Sequence, residues 1–429
     1  MGIRTSRLSR LARLGEMAAG VAGGAAGLAG DAARGGRDAA LEAFHRRTAE
    51  RLASALGEMK GLPHKVGQLL GLLDGAIPLE HRAVYGEVLA RLQSDTRALP
   101  WSEVAPVVES SLGRPVGDCF LAVDPTPVAA ASIGQVHRAR LPDGRQVAVK
   151  VQYPGVAEAL RADLANADAL VATLGAVVPR TDVRSLIDDL AATFLEELDH
   201  AHEAAVQVRC AARWSGDTAV VVPAVVRECS GDRVLTTTWV DGLPFAEARE
   251  APQHLRDAWG EALWRFTWTS ITEHGWVHGD PHPGNLRFLP DGRLAVLDFG
   301  ASATLPPVLR SGLAAGSEAS RAGGTDAELL RHVLPAIGLP LDLSPDVARP
   351  WAAFSRLLFA PMARDGPFRF SEGYVQQLMA EVRAAKTAAA RTALWRGMPT
   401  PTTSGAMIVM RTAVGQAALL AHLGAAVRG

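Results

Sequence analysis

The chain has 429 residues, with 44 Lys and Arg against 45 Asp and Glu, a formal net charge of −1 and 48% apolar residues. That length supports one large domain or two around a substantial core, and the balanced charge argues against a nucleic-acid partner, which brings a basic excess. Cys119, Cys210 and Cys229 form neither a CxxC pair nor an even disulfide set, which fits a reducing compartment, and no His/Cys grouping has zinc spacing.

Residues 1–48 are rich in Ala, Gly and Arg. Within them "MAAGVAGGAAGLAG" (17–30) follows Arg4, Arg7, Arg10 and Arg13, with Leu8, Leu11 and Leu14 in between. A helix there is basic on one side and oily on another, which suits an anionic membrane surface; a flexible Ala/Gly tail accounts for the same composition. No stretch reaches the roughly 18–20 uninterrupted apolar residues of a membrane-spanning helix. The C-terminal segment 405–427 comes near, but Arg411 and Gln416 interrupt it, and it reads as a buried helix.

Residues 49–122 carry helical periodicity, broken at Pro63, Pro78 and Pro100. "KVGQLL" (65–70), taken alone, is a polar helix turn. "VAAASIGQVH" (128–137) stands just upstream of a strand, where a phosphate loop would be rich in glycine. It reads either as such a loop with alanine in place of glycine or as a helix start. Residues 134–152 read as two strands joined at "PDGR" (142–145), a hairpin signal. In "QVAVKVQ" (146–152) the alternation puts Val147, Val149 and Val151 on one face and Ala148, Lys150 and Gln152 on the other. A lone strand lysine is usually solvated, but Lys150 follows the alanine stretch and a hairpin, where a kinase keeps the lysine that pairs with phosphates and a helix glutamate.

Residues 156–175 and 183–212 read as helices. In "FLEELDHAHEAA" (194–205), Phe194, Leu198, Ala201 and Ala205 make a core stripe, and Asp199 and Glu203 share another face. Glu197 lies about 120° around the helix from Glu203. Carboxylates facing two ways suit two different lysines, or else a solvated acidic face. Residues 219–240 read as two strands and "VDGLP" (240–244) as a linker. A helix over 252–274 ends at Gly275, "NLRFL" and "RLAVLD" flank an Asp-Gly turn at 291–292, and the chain after Gly300 is mostly helical.

The strongest signal is "VHGDPHPGN" (277–285) followed by "LDFG" (297–300). Asp280 and Asn285 have the spacing of a kinase catalytic loop. Phosphoryl transfer needs a carboxylate near the attacking oxygen and oxygen ligands for magnesium, and Asp280, Asn285 and Asp298 offer that set. His282 suits either phosphate positioning or loop packing.

Together "KVGQ" (65–68), "AAASIGQVH" (129–137), "VAVKVQYPGV" (147–156), "ELD" (197–199) with Glu203, "HGDPHPGN" (278–285) and "LDFG" (297–300) resemble the UbiB family of atypical kinases, the aarF-domain proteins. The resemblance runs in order from about residue 50 to the C-terminus. It implies an α+β, protein-kinase-like two-lobed fold with an extra N-terminal helical KxGQ subdomain. The expected divisions are an N-terminal segment 1–48, a helical extension 49–122, an N-lobe 123–242 and a helical C-lobe 243–429. It further implies that Lys150 pairs with Glu203 and contacts phosphates, and that Lys65, paired with Glu197, reaches the cleft beside Gln68. Ala129, Ala130, Ala131 and Ser132 cover the nucleotide, Asn285 and Asp298 hold magnesium, and Asp280 acts at the catalytic loop. ATP or ADP with Mg²⁺ are the implied cofactors.

The same resemblance implies a role in isoprenoid quinone or lipid metabolism. Its partners would be adenine nucleotide, a membrane lipid or quinone precursor, quinone-biosynthesis enzymes and a second copy of the chain, with no nucleic acid. The expected location is cytoplasmic, with peripheral membrane contact through the N-terminal segment. No Ala-Pro-Glu signature follows the "DFG", so a standard peptide-docking segment is not expected. Two other functions share parts of the pattern. A small-molecule kinase of the aminoglycoside or choline type has "HGD…N" but lacks KxGQ and the alanine loop, and a pseudokinase scaffold would bind nucleotide without turnover.

Overall fold

The computed structural model describes residues 41–47, 49–50, 84, 87–88, 98–130, 133–164, 184, 195, 198–396 and 404–428. Lys65, Gln68, Ala131, Ser132, Glu197 and the arginine-rich residues 1–40 lie outside the described residues. The chain packs as two compact units: one runs to His202 and adds Val226–Thr238, and the other comprises Glu203–Val225 and Trp239–Gly429.

In the first unit, helix α1 (Trp101–Leu112) starts directly after Pro100, a residue that a helix interior tolerates poorly. It buries Val104, Val107 and Val108, spaced as one helical face. Their partners lie on an antiparallel sheet of β1 (Ala122–Val123), β2 (Ala129–Ala130), β3 (Gly134–Arg140), β4 (Gln146–Gln152) and β6 (Val234–Thr238), the last following β5 (Val220–Val221) in the chain. The order is β1-β3-β4-β6, with β2 also paired to β3. The expected alternation in β4 holds: Val147, Val149 and Val151 are fully buried in one cluster with the α1 valines. Lys150 and Ala148, on the other face, are half-buried.

The valine face of the sheet also carries a buried polar pair. Gln135 accepts from the Leu99 backbone N–H at 2.8 Å and donates back to the Leu99 carbonyl at 2.9 Å. Its amide also meets His137 Nε2 at 2.7 Å, while His137 Nδ1 meets the Asp124 carbonyl at 2.8 Å. A carbonyl only accepts, so the proton sits on Nδ1 and Nε2 accepts from Gln135. Burial lowers the pKa of His137, which favours this neutral form. The Trp101 ring stacks edge-on at 4.7 Å from His137. These two polar residues of "GQVH" therefore tie the chain leading into α1 to the sheet.

Helix α2 (Val156–Leu164) follows β4. The helix expected over 183–212 is interrupted: Leu198 is in a turn, Asp199 is irregular, and α3 (His200–Arg213) starts afresh. Asp199 accepts from the His202 backbone N–H at 2.8 Å, as an N-cap does. Helical phase therefore does not run through residue 199. Ala201 and Ala205 are exposed, not core, and the buried face of α3 is His200, Glu203, Gln207 and Cys210. Exposed Asp199 does not share the face of buried Glu203. Gln152 donates to the Leu198 carbonyl at 2.7 Å and fixes this break to β4.

The second unit is built around α4 (Gln253–Thr272), whose Trp259, Phe266 and Ile271 are almost fully buried. The two strands expected in 219–240 do form, but in different sheets: β5 runs parallel to β9 (Leu294–Val296), which pairs with β8 (Leu286–Phe288). β7 (Trp276–Val277) pairs with β10 (Ala303–Thr304). Helices α5 (Pro307–Arg321), α6 (Asp326–Ala336), α7 (Pro345–Phe359), α8 (Glu372–Arg396) and α9 (Ser404–Leu423) follow, and β11 (Phe368–Arg369) pairs with β12 (Ala426–Val427). By length and composition the 19 residues Gly405–Leu423 of α9, mean hydropathy 1.4, are sufficient to cross a membrane. Their interrupted pattern is nevertheless that of a core helix: Val409, Met410, Ala413 and Leu420 join the core, and Gln416 donates to the Leu263 carbonyl at 2.9 Å.

All three cysteines are free and buried, and burial pushes the Cys210 and Cys229 thiols up to about 12, so neither is a thiolate at neutral pH. At the start of β5, Asp217 accepts from both Arg265 Nη atoms and from the Ala219 and Val220 backbone N–H groups. The Arg265 guanidinium holds this carboxyl down at about 2, burial opposes the shift, and the two backbone donors support it. A depressed carboxylate pKa stabilises the fold above the unfolded value of about 4 and loses that contribution as pH falls through about 2. Asp217→Asn should cost about 1 kcal/mol at pH 7 after allowance for solvent screening. Urea titrations should show that deficit shrinking between about pH 4 and pH 2.

Candidate functional site

In the first unit, Lys150 sits mid-strand, opposite Val136 of β3 and Leu235 of β6. Ala129 and Ala130 form the exposed strand β2, opposite Val136 and Gln135. Ala129 and Ala130 are therefore strand and not the start of a helix. It pairs with the sheet in the way a strand leading into a phosphate loop does.

In the second unit the catalytic-loop residues are brought together by one local hairpin. β8 follows Asn285 and β9 precedes Asp298, and the Leu297 N–H donates to the Asn285 carbonyl at 2.9 Å. Asn285 Nδ2 donates to Asp280 Oδ2 at 2.8 Å, which leaves the amide oxygen of Asn285 for another partner. Asp298 Oδ1 accepts from the Gly300 N–H at 3.0 Å, and Glu203 Oε1 accepts from the Phe299 N–H at 3.4 Å. A Cβ placed on Gly300 would lie 3.3 Å from Asp298 Oδ1 and 3.7 Å from Glu203 Oε2, so the two carboxylates flank that glycine. Glu203 is only 3% exposed, while Asp280, Asn285 and Asp298 are half-buried. Of the expected site residues, the structure thus gathers Glu203, Asp280, Asn285 and Asp298.

His278 is buried against Phe299, with ring centroids 5.2 Å apart, and against Phe266 at 6.1 Å. Burial pushes its pKa down, against the upward pull of Asp280 and Asp298. It is a packing residue beneath the acidic set. His282 Nδ1 accepts from the Gly284 N–H at 3.0 Å, which is the loop-packing alternative.

Two carboxylates and an amide oxygen are hard oxygen donors, the chemistry Mg²⁺ selects. Among the described residues no group of three His, Cys, Asp or Glu side chains is set to hold a metal by itself. That is consistent with a cation that takes one or two carboxylates and completes its shell with phosphate oxygens and water. The donor set therefore fits magnesium carried on a nucleotide.

A strand lysine in the same sheet as an alanine strand, with this acidic loop after a helical crossover, defines a kinase-like protein. The profile of the ABC1 atypical kinase-like domain matches residues 91–319, more than half of the chain. The chain belongs to that family, the UbiB or aarF-domain group. Atypical kinase COQ8, mitochondrial, of Saccharomyces cerevisiae is 33% identical over 59% of this chain and 50% of its own length. An uncharacterized chloroplastic aarF domain-containing protein kinase of Arabidopsis thaliana is 33% identical over 64% of this chain and 39% of its own. This chain spans 33% to 67% of the length of such curated relatives. A Mycobacterium tuberculosis protein, Rv3197, solved as a complex with erythromycin, is 32% identical and superposes with a TM-score of 0.63 over 91% of this chain and 96% of that one.

Sequence reasoning missed the buttressing residues Gln135 and His137 and the Asp199 cap. Asp199 carried a signal, since Asp is a preferred N-cap. The others act across the chain and carry none.

Proposed function

We propose that this protein binds Mg-ATP or Mg-ADP and is an atypical kinase or ATPase supporting isoprenoid quinone or lipid metabolism. The observation that carries the reading is the gathered set of Asp280, Asn285, Asp298 and Glu203 in a chain of the ABC1 family. In it Asp280, oriented by Asn285, accepts the proton of an attacking hydroxyl or water. Asn285 and Asp298 hold magnesium, which offsets phosphate charge when bound. Lys150 contacts phosphate and pairs with Glu203; Lys65 and Gln68 contribute from the extension, Lys65 pairing with Glu197, and Ala129 to Ser132 cover the nucleotide. Contact with a membrane surface falls to residues 1–48 of an otherwise cytoplasmic protein. A quinone precursor or lipid, quinone-biosynthesis enzymes and a second copy of the chain are the partners this reading carries.

Purified protein should show a thermal shift with Mg-ATP or Mg-ADP that disappears on chelation, and slow ATP hydrolysis; neither effect in wild type would end the reading. Metabolite profiles of a deletion strain test the metabolic part, a lost quinone being the expected result. The Rv3197 complex favours a second reading, in which a macrolide-sized compound is a ligand. Equilibrium dialysis with erythromycin tests it, and no retained compound at saturating concentration would remove it.

A further inference from the structure

We infer that Arg411 and Gly415 of α9 are positioning residues for the loop that carries Asp280. The two residues flanking Asp280 are both braced by this helix. On one side, Arg411 Nη2 donates to the Gly279 carbonyl at 2.7 Å. On the other, Pro281 lies against Gly415 so closely that a Cβ there would stand 2.3 Å from Pro281 Cγ and 3.0 Å from Pro281 Cβ. Ile408 completes the row, its Cγ2 3.5 Å from where a Gly279 Cβ would be. Residues 408, 411 and 415 fall three and four apart, which is one face of a helix.

Gly279 itself has φ +79°, and a Cβ on it would lie 2.1 Å from the Ala301 carbonyl oxygen. The loop backbone is thus trapped between the segment after "DFG" and α9. The Asp280 side chain is held separately, by Asn285. Backbone and side chain together leave the carboxylate one orientation. The matched family domain ends at residue 319, whereas α9 begins at Ser404, so the brace comes from outside that domain. Arg411 is otherwise exposed, so its substitution leaves the core intact.

The activity readout rests on the function proposed above; a second readout does not. Arg411→Met should lower kcat for ATP about 10- to 100-fold, as expected for a misplaced reacting group, with nucleotide Kd within about twofold of wild type. Arg411→Lys, which keeps a charged donor but not the planar fork, should recover most of the loss. Gly415→Val should act in the same direction as Arg411→Met. Wild-type kcat in both Arg411→Met and Gly415→Val would overturn the inference. Hydrogen exchange on peptides covering 277–286 should be faster in the same two variants without nucleotide. If wild type hydrolyses no ATP, only the function reading fails; faster exchange then still supports the brace, and unchanged exchange overturns it.

Discussion

Asp280→Asn is expected to lower ATP turnover by about 100- to 10,000-fold, the usual contribution of a positioned acid or base, while leaving Mg-nucleotide binding near its wild-type strength. The substitution is close to isosteric, and the new amide oxygen can still accept from Asn285 Nδ2, which now donates to Asp280 Oδ2 at 2.8 Å. The loop should keep its shape and lose one negative charge and one proton acceptor. Asp298→Asn should behave differently. Asp298 is the carboxylate beside Gly300, and in the proposed site it would help hold the metal. Losing that charge should weaken the Mg-nucleotide complex itself, so the magnesium-dependent thermal shift should shrink together with the rate. Single-turnover kinetics and thermal shifts on both variants separate the roles. An Asp280→Asn enzyme with unimpaired turnover would remove Asp280 from the chemistry, and an Asp298→Asn protein with a full thermal shift would remove Asp298 from the metal.

The parts of this site that were legible in sequence are those whose geometry is local. Asp280, Asn285 and Asp298 fall within one short stretch, and a single Asp-Gly hairpin returns the chain so that Leu297 bonds the Asn285 carbonyl. The face of Lys150 follows from strand alternation alone. What escaped depends on partners far along the chain. Gln135 looks like any strand glutamine until Leu99, 36 residues earlier, is found against it. Arg411 looks like an interruption of an apolar helix until its guanidinium is found on a carbonyl 132 residues away. Glu203 lies in a helix as expected, but on its buried face, where its carboxylate accepts from the Phe299 N–H, 96 residues on.

The misreading around residue 199 has a different cause. A single periodicity over 183–212 runs across Leu198 and Asp199, where the chain is not helical, and a preferred capping residue marks the spot. The strands β5 and β6 show the same limit at sheet level. β5 reads Val-Val and β6 Val-Leu-Thr-Thr-Thr, both rich in β-branched residues, and nothing local says that one pairs with β9 and the other with β4.

Gly279→Ala should be among the most damaging single substitutions in the second unit, and Gly292→Ala calibrates it. Both glycines have left-handed backbones, φ +79° at Gly279 and φ +87° at Gly292. A non-glycine residue in that region costs about 1–2 kcal/mol. At Gly292 that is nearly the whole cost, because the nearest atom to an added Cβ is Ala258 Cβ at 3.5 Å, an ordinary contact. At Gly279 the added Cβ would stand 2.1 Å from a backbone carbonyl oxygen, which no rotamer change relieves. Overpacking of that kind adds about 1–3 kcal/mol, for a total of about 2–5 kcal/mol. The loop can escape only by shifting away from Ala301, and the same shift moves Asp280 and strains the Arg411 contact. Urea unfolding of the two variants should therefore differ by about 1–3 kcal/mol, and Gly279→Ala alone should also lose turnover. Equal destabilisation by the two substitutions would mean that the close approach at Ala301 relaxes without cost, and the loop would then not be held as tightly as these contacts require.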